Sequence, residues 1–188
     1  LRESERLNHT IKSFLAFARP QRAAIARLEV GKVLQDTALL LRNSADLHDN
    51  HVIDVDAPDP VWCEADENQV RQIVWNLATN GLRAMANGGR LLLSVRSAEE
   101  SGNHLVVLAV QDQGCGIPAD EVDSIFQPFR SSFERGTGLG LAIVHRLVTD
   151  YNGAIDVSSE VGVGTIFTVK LPAHAGLSST PSANEMSA

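Results

Sequence analysis

The chain has 188 residues, of which 44% are hydrophobic and 21% charged, with a formal net charge of -7. That suits one ordinary domain with appendages, and the acidic balance argues against a nucleic-acid partner, which needs a clustered cationic surface. No apolar run is long enough to span a bilayer, the opening residues Leu1–Arg6 are charged, and the two cysteines Cys63 and Cys115 form no CxxC pair and read as reduced thiols.

Residues 1–20 read as a helix. Leu7, Ile11, Phe14 and Ala18 recur at steps of four and three, a coiled-coil-like stripe that Leu15 widens and Pro20 stops. Such a helix cannot bury its own apolar face and needs partners. A second region runs to Pro172. Ala26–Val30 is a candidate short strand, Val33–Arg42 a helix, His51–Val55 and Val61–Cys63 strands around the turn cluster at 56–60. Glu67–Ala86 is a strong helix closed by Asn87-Gly88-Gly89. Arg90–Ser97 and Leu105–Asp112 read as strands, Pro118–Phe133 as irregular chain, and Gly138–Tyr151 as a helix that opens on glycines. Ala154–Ser158 and Thr165–Leu171 look like a closing strand pair, and the small, polar residues after Ala173 like a disordered tail. This mixed order predicts an α+β fold, a two-layer α/β sandwich with helices on one face of a sheet. Strict βαβ alternation is absent.

Four segments carry candidate chemistry. In the helix Glu67–Ala86, the residues Gln69, Gln72, Asn76, Asn80, Arg83 and Asn87 form one amide-rich polar stripe. A solvated face is the commoner meaning of such a stripe. However, solvated faces usually carry Lys and Glu, and two mid-helix asparagines one turn apart cost helix stability. Asparagine oxygens suit Mg²⁺, which is usually held together with substrate phosphates. Next, the apolar run Val106–Val110 ends in Asp112-Gln113-Gly114-Cys115-Gly116-Ile117-Pro118, a carboxylate acceptor beside backbone that a flat ring can approach. Third, Gly136-Thr137-Gly138-Leu139-Gly140-Leu141 opens a helix, where unpaired N–H groups and the dipole favour anions. It is not a Walker A loop, because no Lys follows, and no strand leads into it as a Rossmann turn requires. Last, Thr165 in Gly162-Val163-Gly164-Thr165 could donate a hydrogen bond into a pocket.

In this order, Asn-Leu-Ala-Thr-Asn, Asp-Gln-Gly-Cys-Gly-Ile-Pro, Ile-Phe-Gln-Pro-Phe, Gly-Thr-Gly-Leu-Gly-Leu-Ala and Gly-Val-Gly-Thr-Ile-Phe resemble the catalytic domain of bacterial sensor histidine kinases. That family lies within the gyrase, Hsp90, histidine kinase and MutL superfamily. The resemblance covers residues 1–172 and implies three parts. Residues 1–22 would be the second helix of a dimerisation and histidine-phosphotransfer domain, 23–172 the ATP-binding catalytic domain, and 173–188 a tail.

The resemblance also implies roles. Asn80 matches the Mg²⁺-ligating asparagine, and Asn76 matches one that helps bind phosphates and metal; these two are the candidate catalytic residues. Arg83 sits where a basic residue often lies near the phosphates. Asp112 matches the aspartate that accepts from the adenine amino group, with Gly114, Gly116 and Ile117 beside the base. Phe126 and Phe129 match the aromatic pair anchoring an ATP lid. Gly136, Thr137, Gly138, Leu139, Gly140 and Leu141 match the lid's glycine segment near the phosphates, and Thr165 matches a residue touching adenine. Three departures stand out. Phe133 replaces a usual lysine, leaving Arg130 or Arg135 to supply that charge. Gly81 replaces a usual alanine and is expected to loosen its helix. Cys115 sits between the adenine-site glycines.

The implied activity is that of a protein-histidine kinase: ATP with Mg²⁺ phosphorylates a histidine on the dimerisation domain, for relay to a response regulator receiver domain. The full-length protein would be a homodimer and cytoplasmic, or the cytoplasmic portion of a membrane-bound sensor. The acceptor histidine is expected on a first helix not contained here; His9 reads as a surface or packing residue, and the remaining histidines lack metal-ligand spacing. The ending Phe17-Ala18-Arg19-Pro20 and the short lid are similar to the nitrogen-regulation and pilus-regulation sensors. An ATPase of the same superfamily usually has a glutamate where Asn76 stands. A non-catalytic nucleotide-binding scaffold is the alternative of a different class.

Overall fold

A computed structural model describes residues 23–44, 47–48, 50–130 and 137–173. The helix expected over residues 1–20, the tail beyond Ala173, and Arg135 and Gly136 lie outside the described residues.

The elements run β1 (Ala26–Glu29), α1 (Val30–Leu41), β2 (His51–Asp56), β3 (Trp62–Ala65), α2 (Glu67–Ala84), β4 (Gly89–Glu100), β5 (Asn103–Asp112), a 3-10 turn at Val122–Ser124, α3 (Gly140–Asp150), β6 (Ala154–Glu160) and β7 (Gly164–Pro172). One sheet has the order β2-β4-β5-β7-β6, and β1 pairs with β3 in a small second sheet. Only β2 and β4 are parallel, joined through α2, while the other pairs are antiparallel. The two-layer α+β sandwich expected from the element order is present, with the helices packed on the sheet.

Alternation builds this core. On β4 the inward residues are Leu91, Leu93 and Val95; on β5 Val106, Leu108 and Val110; on β7 Phe167, Val169 and Leu171, all at most 4% exposed. The helices answer with Val30, Leu34 and Leu41 of α1, Val70, Ile73, Val74 and Leu77 of α2, and Ile143, Val144 and Leu147 of α3. Removing a buried leucine such as Leu77 or Leu108 to alanine costs about 2–5 kcal/mol.

α1 begins at Val30, three residues earlier than its periodicity suggests, because Val30 enters the core and its N–H donates to the Val61 carbonyl (2.8 Å). α2 starts at Asp66, whose Oδ1 accepts from the N–H groups of Asn68 (2.8 Å) and Gln69 (3.2 Å). Such a cap is worth about 1 kcal/mol. Asp66 also ties in distant chain: its Oδ2 accepts from Ala24 N–H, and its own N–H donates to the Tyr151 hydroxyl (2.9 Å), which in turn donates to Gln69 Oε1 (2.7 Å). That links the start of α2 to the end of α3.

Gly81, expected to loosen its helix, lies within the unbroken α2. It is where the helix touches the sheet: a Cβ there would lie 2.8 Å from Leu91 Cδ1 and 3.1 Å from Asp112 Cβ. One turn on, a Cβ on Gly114 would fall 2.6 Å from Ala84 Cβ, and Cys115 N–H donates to the Ala84 carbonyl (3.1 Å). Glycine at both places lets α2 lie directly on the end of β5.

Gly114→Ala is therefore expected to lower stability by about 1–3 kcal/mol, the cost of overpacking. Gly140→Ala, whose Cβ would have no neighbour nearer than 3.8 Å, should shift stability by less than about 1 kcal/mol, since alanine also favours the helix. Urea unfolding of both variants checks this; equal losses would show that the α2–β5 contact can relax.

Candidate functional site

A cavity of about 740 Å³ opens between α2, the chain after β5 and the N-terminus of α3. Each wall has a local cause.

One wall is the polar face of α2. Asn76, Asn80 and Arg83 follow at four- and three-residue steps and all line the cavity. The Asn76 Nδ2 is buried with no hydrogen-bond partner among the described residues. An unpaired buried amide costs about 1–3 kcal/mol, so it is a position where a ligand acceptor would be favourable. Across from it stands Gly140, the first residue of α3; a Cβ there would lie 3.8 Å from Asn76 Oδ1. The N-cap residue Leu139 makes no side-chain bond to the start of α3, and among the described residues only Thr137 Oγ1 reaches it, accepting from Leu139 N–H (3.4 Å). The first N–H groups of α3 lack intrahelical partners and, with the helix dipole, suit an anion.

The opposite end of the cavity is built on Asp112, which is 5% exposed at the last position of β5. Its Oδ1 accepts from Gly114 N–H (2.8 Å) and Thr165 N–H (3.3 Å). Its Oδ2 takes no hydrogen bond from a described residue. Burial pushes the Asp112 pKa above the ordinary aspartate value, and the two N–H bonds hold it partly back. The carboxylate is thus a positioned acceptor with one oxygen available to a ligand donor. Behind it, Ser159 Oγ lies 2.8 Å from Thr165 Oγ1, accepts from Ile117 N–H (2.8 Å) and donates to the Gly164 carbonyl (3.0 Å).

Of the residues singled out in the sequence, Asn76, Asn80, Arg83, Asp112, Gly116, Ile117, Arg130, Thr137, Gly138, Gly140, Leu141 and Thr165 line this one cavity. Three do not. Gly114 is turned onto Ala84 and reaches the site through its N–H on Asp112. Leu139 is fully buried: its side chain enters the core and anchors the start of α3. Phe129 is 68% exposed and acts through its backbone, donating to the Gly138 carbonyl (2.9 Å). Of the lid pair, Phe126 instead faces the His145 ring on α3, centroids 5.4 Å apart.

Trp75, Thr79 and Ile125 also line the cavity and were not singled out. Trp75 and Thr79 flank the Asn76–Asn80 stripe on the helical wheel, so a wider arc of α2 would have found them. Ile125 and Ser159 carry no local signal. Cys115 is exposed and lines the cavity, whereas Cys63 is buried, its thiol pushed up to about 11 by desolvation.

The model of the histidine kinase-, DNA gyrase B- and HSP90-like ATPase family matches residues 65–175. The chain belongs to that family. Sporulation kinase E of Bacillus subtilis strain 168 is 32% identical over 173 residues, 90% of this chain and 23% of its own length. The sensor histidine kinase ZraS of Escherichia coli strain K12 is 31% identical over 92% of this chain and 36% of its own length. The chain thus spans well under half of the curated relatives it matches. Among solved structures, full-length ShkA in complex with AMPPNP superposes with a TM-score of 0.75 at 31% identity, covering 91% of this chain and 37% of that one. The chain is an ATP-binding domain of the histidine-kinase type.

The raised Asp112 pKa has two consequences of opposite direction. Between the ordinary value and the raised one, the native state binds more protons than the unfolded chain, so the Asp112 contribution to stability falls as pH rises through that window. With a base amino group held at Asp112, the placement proposed below, ATP affinity would run the other way. An ionised acceptor makes the stronger hydrogen bond to an amino group, so affinity is expected to drop as pH falls through the raised value. Titration calorimetry across that range checks this; the inflection should vanish in Asp112→Asn, and an unchanged inflection would assign it to another group.

Proposed function

We propose that the chain binds Mg²⁺-ATP in this cavity, with adenine at Asp112 and the triphosphate between the Asn76–Asn80 face and the N-terminus of α3. Within the full-length protein, the γ-phosphoryl passes to a histidine of the dimerisation domain. From there it goes to an aspartate on a response regulator receiver domain.

The observation that carries this reading is the pairing of opposite chemistries in one cavity. An acceptor with an open oxygen stands at one end, and an uncapped helix N-terminus beside an unpartnered asparagine amide stands at the other. An adenine nucleotide has the reverse pattern, with a donor amino group on the base and anionic oxygens at the far end.

Asn80, with its side-chain oxygen, is the residue that would hold Mg²⁺ together with the phosphates. Among the described residues there is no cluster of three or more His, Cys, Asp or Glu; substrate phosphates and water would complete the coordination around Asn80. Bound Mg²⁺ would supply neutralisation of charge on the transferring phosphoryl group. The chain's own part is positioning. Asn76 presents its amide to the phosphates, the α3 N-terminus donates N–H groups, and Arg83 and Arg130 add positive potential at the cavity wall. Arg135 belongs to the same proposal, as do Gly136 and Thr137 of the lid segment. Asn76 stands where a water-activating ATPase carries glutamate. An amide cannot take a proton from water, which favours transfer to an imidazole over hydrolysis.

The division into a dimerisation helix at 1–22, a catalytic domain at 23–172 and a tail at 173–188 is part of the proposal, as is a homodimeric full-length protein. Among the described residues no helix is long and apolar enough to cross a membrane; a cytoplasmic location is proposed from the kinase reading. The likeness to nitrogen-regulation or pilus-regulation sensors rests on the Phe17–Pro20 ending and the short lid.

Incubating the chain with γ-labelled ATP, Mg²⁺ and a separately produced histidine-bearing dimerisation hairpin of the full-length protein should label the hairpin with acid-labile phosphate. Asn80→Ala is expected to cut that rate by about 10²-fold or more, the scale of losing one transition-state charge contact. Phosphate release into water without labelling would mark an ATPase, and bound nucleotide with neither outcome would mark a scaffold.

A further inference from the structure

The hydroxyl of Thr165 was expected to donate into the pocket. Its surroundings give it the opposite polarity. Ser159 Oγ has three neighbours: Ile117 N–H at 2.8 Å, the Gly164 carbonyl at 3.0 Å and Thr165 Oγ1 at 2.8 Å. A hydroxyl carries one proton and two lone pairs. The amide N–H can only donate, so it takes one lone pair. The carbonyl can only accept, so it takes the proton. All three contacts are hydrogen bonds only if Thr165 donates its own proton to the remaining lone pair of Ser159.

Thr165 then has no proton left for a ligand. Its backbone N–H is also committed, to Asp112 Oδ1 (3.3 Å). Thr165 is 3% exposed and Asp112 5%, and both line the cavity. At this end the two side chains together offer acceptors only: Asp112 Oδ2 and the Thr165 hydroxyl oxygen.

We propose that Ser159 is a positioning residue that sets this polarity and so makes the base pocket select a purine bearing an amino group at position 6 over one bearing an oxo group. It acts through Thr165 and does not itself line the cavity. A 6-amino group brings donors to two acceptors. With the base in the same place, a 6-oxo group brings a third acceptor to these two, and the N1–H that accompanies it lies one ring position away, so buried lone pairs face one another at position 6, a mismatch that costs more than a lost contact. Sites built on buried polar groups discriminate strongly for this reason. The proposal rests on the nucleotide reading above and adds which group enforces base choice.

The test is titration calorimetry of the full chain with Mg²⁺-ATP and Mg²⁺-ITP, which differ in the 6-substituent and in the N1 proton that accompanies the 6-oxo group, and which both lack a 2-amino group. Ser159→Ala frees the Thr165 proton to turn toward the ligand. ATP should bind more weakly and ITP as well as before or better, so that the ATP/ITP affinity ratio falls about tenfold. Thr165→Val keeps the shape and removes the acceptor. It should likewise spare or improve ITP binding while weakening ATP, and it serves if Ser159→Ala does not fold. A merely structural role for Ser159 would weaken both nucleotides in parallel, and a donor role for Thr165 would make Thr165→Val lose ITP; either result overturns the polarity while leaving the nucleotide site intact. Wild-type chain that binds neither nucleotide overturns the site itself and this proposal with it.

Discussion

The contact of α2 with the end of β5 governs everything that follows it in the molecule. Helix and strand can meet there only because Gly81 and Gly114 carry no Cβ; at either position a methyl group would come within 2.8 Å of a neighbour across the contact. The same approach lets Cys115 N–H reach the Ala84 carbonyl, which fixes the chain after β5 to the last turn of the helix. Asp112 and the Asn76–Asn80 face are thereby set on two walls of one cavity. Were α2 lifted by a side chain's thickness, the acceptor and the asparagines would no longer line one cavity.

Such a site has a cost, and magnitudes show why the fold tolerates it. Two mid-helix asparagines and a glycine each cost α2 roughly 0.5–1 kcal/mol of helix propensity relative to alanine. The unpartnered Asn76 amide adds about 1–3 kcal/mol. Against these, α2 buries Val70, Ile73, Val74, Leu77 and Leu82, each at most 1% exposed, and full burial of such a side chain contributes about 1.5–3 kcal/mol. Apolar packing on one side of the helix therefore outweighs the polar stripe on the other. Asp112 follows the same logic: its carboxylate is desolvated, but two backbone N–H groups hold it. On the proposed reading, what the fold loses at these groups is what a nucleotide would regain, its amino group and phosphates meeting partners already in place.

Much of this was legible in the sequence because it is local or ordered along the chain. The 3.6-residue periodicity of α2 put Asn76, Asn80 and Arg83 on one face, and an apolar run ending in Asp-Gln-Gly-Cys-Gly marked the strand end that carries Asp112. What sequence missed depends on long-range geometry. Gly81 looks like a weak point until Leu91 and Asp112 are seen against it. Leu139 sits among lid residues by position yet belongs to the core. The parallel pairing of β2 with β4 requires the crossover through α2, which no turn signal announces. Ser159 lies in an unremarkable strand, and only the fold brings it to Ile117, 42 residues away.

On the proposed reading, one cavity holds both ends of an adenine nucleotide, base at Asp112 and phosphates at the asparagine face. A crystal structure of the chain with Mg²⁺ and a non-hydrolysable ATP analogue tests it most directly. The expected result places the adenine amino group within hydrogen-bond reach of Asp112 Oδ2 and the phosphates beside Asn76, Asn80 and the first N–H groups of α3. A nucleotide bound with its phosphates at Asp112, or outside this cavity, would contradict it.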